Sequence, residues 1–318
     1  MSAAPACVLV TGAYGFVGAA YCAHLEASGV PYVGAVRERP GSESRDEIVA
    51  LGDFAEADWD GLFVRFPIRH VVHLSARAHR THDDAAEPAR EYRRANVKVT
   101  DRLLASSLVA RVQRFVFAST VKVHGESTAP GIVLKESDPL APADDYARSK
   151  AAAEDRVRQF GRDLGLPVTI LRLPLVYGPG VKANFAALVD AVCRRRILPF
   201  GKIRNQRSLL GIDNLCGALE AVRLHAAAAE TTFFVSDGDV VSTPELVRAI
   251  ADAFGVRSRL WNVPPPLLGV AAALTGQRAA IRRLSSSLAI DDARIRRALG
   301  WKPPFTLGEQ LARMAAAS

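Results

Sequence analysis

Cysteine is scarce in this chain and follows no ligand spacing: Cys7, Cys22, Cys193 and Cys216 lie scattered in apolar surroundings. That scatter excludes a disulfide framework and a zinc site, and predicts small core residues kept reduced. Long hydrophobic runs are missing too. No stretch of about 18 apolar residues passes without a charge, which excludes a membrane-spanning helix and any stable membrane insertion. The start MSAAPACVLVTG enters a strand pattern directly, without a basic and then apolar leader, so a cytoplasmic location is expected. No fixed-period repeat is found. No aromatic-rich basic module accompanies the spread arginines, so the net charge of +8 predicts no nucleic-acid partner. A diphosphate-bearing substrate and cofactor balance it as well.

What is present is a chain of 318 residues, 49% hydrophobic, enough for a large core in one unit or in a cofactor domain with a smaller appendage. From the start to about Arg172, short β-branched runs (Cys7–Val10, Tyr32–Val36, His70–Leu74, Phe115–Ala118 and Val168–Leu171) alternate with helical patterns such as Ala19–Ser28, Tyr92–Leu108 and Tyr146–Gly165. Such βαβ alternation predicts an α/β fold with a doubly wound parallel sheet. After Tyr177-Gly178-Pro179-Gly180 the alternation fades and prolines punctuate shorter elements, the pattern of a smaller, mixed α/β substrate lobe. The expected division is residues 1–175 for the dinucleotide-binding domain and 176–318 mainly for the lobe, with some segments returning to the main sheet. Leu267–Leu284, apolar and then basic, reads as a surface helix of the lobe in preference to a membrane contact. Ala226–Ala229 and the alanines around Ala271 are expected in helix.

CVLVTGAYGFVGAA sets Gly12, Gly15 and Gly18 straight after the first strand and at the opening of the first helix. Glycine there permits a tight turn and a close backbone approach to a pyrophosphate at the helix N-terminus, the dinucleotide fingerprint of a Rossmann sheet. The second strand ends in Val36-Arg37-Glu38-Arg39. Paired guanidinium groups at that place suit the extra phosphate of NADP, and Glu38 is the alternative, a carboxylate for the ribose of NAD. Asp53 in LGDF suits an acceptor for the adenine amine, or is an ordinary turn residue.

In FVFAST…DDYARSK, Ser119 and Thr120 close a strand while Tyr146 and Lys150 stand four apart, on one face of a helix. A phenol titrates near pH 10, and an adjacent ammonium together with a cationic nicotinamide would draw it toward working pH. On these segments the chain resembles the extended short-chain dehydrogenase/reductase family, the class of nucleotide-sugar epimerases, dehydratases and ketoreductases. The resemblance runs over nearly the whole chain: TGAYGFVG, the GDF turn, HLSA, NVKVT, FASTVKVHG, YARSK and RLPLVYGPG stand in family order. It implies that Tyr146 is the acid/base, that Lys150 holds the nicotinamide ribose and tunes Tyr146, and that Thr120 hydrogen-bonds the reacting sugar oxygen. It also implies cofactor contacts from Tyr14, Phe16, Val17, Phe54, Leu74, Ser75, Ala76, Ala118, Pro174 and Val176. Asn96 is either a supporting polar residue near the cofactor or a buried helix asparagine satisfied by backbone. The family commonly has serine where Thr120 stands and tyrosine where His124 stands. Lys122, His124 and Ser119 are therefore carried as sugar-pocket candidates, with solvent-facing positions as the alternative for Lys122 and His124.

At the substrate end, the resemblance gives Asn184 in VKANF and Arg207 in RNQRSLLGIDNL, with Arg204 as neighbour, as the grip on a diphosphate, a task suited to the bidentate guanidinium fork. VKANF, LPFGKIRNQRSLLGIDNL and KVHGEST are similar to a subgroup of bacterial ketoreductases acting on UDP-4-keto-6-deoxy-N-acetylhexosamines in surface polysaccharide synthesis, whose members are often labelled UDP-glucose 4-epimerases. The expected partners are a nucleoside-diphosphate sugar and a second copy of the chain, paired through the helices Tyr92–Leu108 and Tyr146–Gly165. A 4-epimerase and a non-catalytic dinucleotide sensor remain the alternatives.

Overall fold

The computed structural model describes residues 7–39, 45–78, 87–264, 266–268 and 278–318. Strand β1 (Cys7–Thr11) is buried along its whole length, as are β2 (Tyr32–Val36) and β7 (Val168–Leu173). Continuous apolar strands of this kind form where helices cover both faces of a parallel sheet. With β3 (Ile48–Ala50), β4 (Ile68–His73), β5 (Arg114–Thr120) and β10 (Thr231–Phe234) they make a seven-stranded sheet in the order β10-β7-β5-β4-β1-β2-β3. Every pair in it is parallel.

Helices α1 (Phe16–Ala27) and α7 (Ile212–Leu224) bury one face of the sheet with Tyr21, Leu25, Leu215 and Leu219. The other face is covered by α2 (Trp59–Arg65), α4 (Val99–Val109) and α5 (Asp145–Leu164) through Leu62, Leu103, Leu104, Ala153 and Val157. The sheet order reverses between β1 and β4, and Thr11 pairs with His73 at their carboxyl ends. Such a reversal opens the crevice in which doubly wound sheets bind ligands.

The smaller lobe is built on the mixed sheet β11-β9-β8 (Val240–Val241, Arg207–Gly211, Leu175–Tyr177). Around it, α6 (Ala183–Cys193), α8 (Thr243–Ala253) and the helix Leu307–Ala316 enclose a separate core of Phe185, Leu188, Val247, Ile250 and Leu311. Strand β6 (Val133–Leu134) pairs with β12 (Ala289–Ile290) beside the main sheet. The lobe sequence therefore leaves and re-enters the main body, since α7 and β10 both pack on the large sheet.

Some elements differ from the sequence reading. The first helix starts at Phe16, directly after Gly15, because glycine needs no side-chain cap when the first turn faces an anion site. The helix expected from Tyr92 starts as α3 (Pro88–Arg93) and passes through a π-helical turn, Arg94–Lys98, before α4. Ala226–Ala228 is a single 3-10 turn. Of Leu267–Leu284, residues 269–277 lie outside the described residues, as does Ala271, and a helix is described at Arg278–Ser285. No described helix is long and apolar enough to cross a membrane.

Candidate active site

The glycine turn between β1 and α1 is shaped by close approach. Gly12 has φ +73°, and a Cβ there would stand 3.0 Å from the Ser75 backbone; a Cβ on Gly18 would stand 2.1 Å from the Gly12 carbonyl oxygen. Helix α1 has no acidic residue in its first turn and no side-chain cap, which leaves its N-terminal amides available to a pyrophosphate. These features fit a dinucleotide. Tyr14 is exposed, while Phe16 and Val17 pack against the core beneath the turn.

A buried polar chain supports this floor. Thr11 Oγ1 accepts from the Leu74 and Ser75 amides at 3.1 Å and contacts His73 Nδ1 at 2.7 Å. His73 Nε2 meets Thr100 Oγ1 at 3.0 Å, and Thr100 donates to the Asn96 carbonyl at 2.7 Å. Only one tautomer satisfies all of these: His73 carries its proton on Nε2 and accepts from Thr11 at Nδ1. Burial first, and then the charge of Lys150, push His73 down to about 3.

Asn96 is buried within the π turn. Its Oδ1 accepts from the Arg77 amide at 2.7 Å, and its Nδ2 donates to the Arg77 carbonyl at 3.2 Å and to Ser149 Oγ at 2.9 Å. It thereby ties the segment after β4, with Leu74, Ser75 and Ala76, to α5. A π bulge at such a place is a recurrent mark of functional sites. Ser149 in turn donates to the Tyr146 carbonyl at 2.7 Å.

Asp144 caps α5 by accepting from the Ala147 amide at 2.6 Å, and this fixes Tyr146 and Lys150 on the first turns. Tyr146 hydrogen-bonds Thr120 at the end of β5. The Tyr92 ring lies edge-on to it at 6.2 Å. Burial, followed by the Asp144 charge, pushes the Tyr146 phenol up to about 12, against the lowering effect of Thr120. The Lys150 ammonium lies 3.9 Å from the Phe117 ring centroid, and burial pushes it down to about 7, opposed by Glu154. Ala118 and Val176 are half-buried and Pro174 is buried, close in sequence to these strand ends.

Two sugar-pocket expectations are corrected. Ser119 Oγ donates to Glu154 Oε1 at 2.5 Å and is buried. His124 is also buried, with Nε2 at 2.7 Å from Arg172 and Nδ1 at 3.2 Å from the Pro139 carbonyl, while its ring packs on Phe234. Both ring nitrogens of His124 and the Ser119 hydroxyl hydrogen are therefore engaged within the protein. Lys122 Nζ pairs with Asp144 at 3.4 Å and so supports the cap of α5.

At the cofactor's outer end, Arg37 and Arg39 are exposed just past β2. Phe54 is buried, and Asp53 accepts from the Ala55 amide at 3.0 Å and from Arg94. Those two hydrogen bonds hold the Asp53 carboxyl below the usual range, the backbone amide first. In the lobe, Asn184 and Arg204 are exposed, whereas Arg207 is half-buried at the start of β9 and donates to the Ser286 carbonyl at 3.3 Å. The sequence reading missed His73, Glu154 and Arg172. Glu154 repeats the Tyr146–Lys150 spacing one turn on, and that periodicity is the signal that finds it.

Comparison with known proteins agrees with this geometry. The family described as "NAD dependent epimerase/dehydratase family" matches residues 8–235. A curated Vibrio cholerae protein named UDP-glucose 4-epimerase is 37% identical over 312 residues, covering 96% of this chain and 93% of its own. The Kitasatospora kifunensis dTDP-6-deoxy-L-talose 4-dehydrogenase (NAD(P)(+)) is 29% identical, covering 96% and 93%. Among solved structures, MoeE5 in complex with UDP-glucose and NAD superposes with TM-score 0.76 at 27% identity, covering 98% of this chain and 97% of that one. With the family match running over most of the chain and the Vibrio cholerae relative covering nearly all of it, the chain belongs to the NAD-dependent epimerase/dehydratase family of extended short-chain dehydrogenase/reductase enzymes.

Proposed function

We propose that the protein reduces the keto group at carbon 4 of a UDP-linked 4-keto-6-deoxyhexosamine with NADPH, in surface polysaccharide synthesis. The observation that carries this reading is the placement of the Tyr146 phenol beside Thr120 at the end of β5, with Lys150 buried one turn on along α5. A phenol so placed is a proton donor at neutral pH, which is what reduction of a ketone requires. A nicotinamide coenzyme, its pyrophosphate on the Gly12 turn and its ribose on Lys150, would supply the hydride when bound. Thr120 orients the carbonyl oxygen, Tyr146 gives it a proton as the alkoxide develops, and Lys150, buried one turn away, stabilises the phenolate left behind.

Arg37 and Arg39, exposed where β2 ends, support NADP over NAD through their charge. Net reduction needs a coenzyme that exchanges, whereas an epimerase recycles one held tightly. Arg207, with Asn184 and Arg204 as neighbours, is assigned to the substrate diphosphate. Two copies are proposed to pair through α4 and α5, and the working place is proposed to be the cytoplasm. A second reading, 4-epimerisation of UDP-glucose or UDP-N-acetylglucosamine, is favoured by the name of the Vibrio cholerae relative.

Incubation with UDP-glucose, UDP-N-acetylglucosamine and the UDP-4-keto-6-deoxy derivative, each with NADPH or NAD, tests the proposal. Stoichiometric NADPH consumption with the keto sugar supports it. Interconversion of 4-epimers without net coenzyme consumption replaces it with the second reading, and no turnover of any pair leaves a dinucleotide sensor.

A further inference from the structure

Glu154 stands one helical turn beyond Lys150 on α5, with its side chain fully buried. A carboxylate there is costly unless fully paired. Its partners converge from three elements: Ser119 Oγ from β5 at 2.5 Å, Arg172 from β7 through Nε at 3.0 Å and a terminal nitrogen at 2.7 Å, and Arg158 from α5 at 2.5 Å. Behind Arg172 stand His124 and the Glu136 carbonyl, at 2.7 and 3.0 Å.

We propose that Glu154 is a positioning residue for the reacting pair: its carboxylate locks the strand end carrying Ser119 and Thr120 onto α5 and supplies the negative charge that keeps Lys150 an ammonium. The proposal rests on the reading above, in which Lys150 and Tyr146 do the chemistry. Ser119 immediately precedes Thr120, so holding Ser119 on α5 fixes where the Thr120 hydroxyl meets Tyr146. Among the described residues, the charged or titratable groups that act on Lys150 are Glu154 on α5 and neutral His73 on β4, with the Phe117 ring of β5 against the ammonium. Of these, Glu154 is the anion at neutral pH. Arg172 and Arg158 draw on the same carboxylate and moderate the charge that reaches Lys150.

The test reads the Lys150 side chain directly and needs no turnover. Selective 13Cε-lysine NMR follows its titration, the signal being assigned by its loss in Lys150→Met. Glu154→Gln keeps the shape and removes the charge, and it should lower the Lys150 midpoint by about one pH unit. Arg158→Gln removes a partly exposed cation from the same oxygen while Arg172 still holds Glu154 ionised, and it should leave the midpoint in place or raise it. A fall in Glu154→Gln without a fall in the arginine variant supports the proposal. An unmoved midpoint in Glu154→Gln overturns it, as does a fall in both variants, the signature of a merely structural role. Failure of the substrate panel would overturn the functional reading while leaving this titration readable.

Discussion

Three side chains inside the large domain are neutralised by where they sit. His73, His124 and His70 are all depressed, His73 to about 3 and His70 to about 4, chiefly because burial disfavours the imidazolium. An unfolded chain takes these protons near pH 6.5. The folded state therefore binds fewer protons below that pH, and the stability these groups contribute is complete above about pH 6.5 and drains away as pH falls toward their folded values. The thermal midpoint should drop between pH 7 and pH 5, and His73→Gln should flatten part of that drop. An identical pH slope in the variant, measured by circular dichroism melting, would contradict the tautomer and burial assigned to His73.

Elements decide which sequence signals became chemistry. The β1 glycine turn and the Tyr146–Lys150 spacing were legible because each depends on neighbours in sequence, within one turn or one helix. Ser119 and His124 were misplaced because their partners are remote: Glu154 is 35 positions from Ser119, and Arg172 is 48 from His124. The parallel pairing of β5 with β7 sets Ser119 beside Arg172, and the packing of α5 on both strands brings in Glu154. The π turn was likewise hidden, since Arg94–Lys98 carries no glycine or proline to mark it. Its role gives a sharp expectation. Asn96→Ala removes the hydrogen bonds to the Arg77 amide and carbonyl and to Ser149 Oγ, and should cost about 1–3 kcal/mol in urea unfolding; a loss below a few tenths would show that the turn stands without it. At the end of β2, replacing Arg37 and Arg39 together by alanine should weaken NADPH binding about 10- to 100-fold and leave NADH binding unchanged, because a charged hydrogen bond contributes about 1.5–3 kcal/mol. Equal effects on both coenzymes, by calorimetry, would remove these residues from phosphate recognition.

For the whole molecule, the doubly wound sheet and its crevice were readable from strand–helix alternation, whereas the lobe was readable as a smaller mixed α/β unit with some segments returning to the main sheet, but not which ones. Its chain weaves back, with α7 and β10 packing on the large sheet before α8 returns to the lobe. No local period records such weaving. The consequence is mechanical unity: Asp237, just past β10, accepts from Tyr177 at the end of β8 at 2.7 Å and from the Gly211 amide of β9 at 2.8 Å. Arg207, four residues before Gly211, is thus held by the same strand that this carboxylate anchors. In the proposed reaction, hydride reaches carbon 4 of the sugar while Tyr146 supplies the proton. NADPH deuterated at the transferring position of the nicotinamide, incubated with the UDP-4-keto-6-deoxy sugar, measures it by mass spectrometry and NMR of the product. One deuterium at carbon 4 is expected with the native protein, and a rate lower by a factor on the order of 100 or more in Tyr146→Phe with coenzyme affinity retained. A product without that deuterium, or an undiminished rate in Tyr146→Phe, would contradict it.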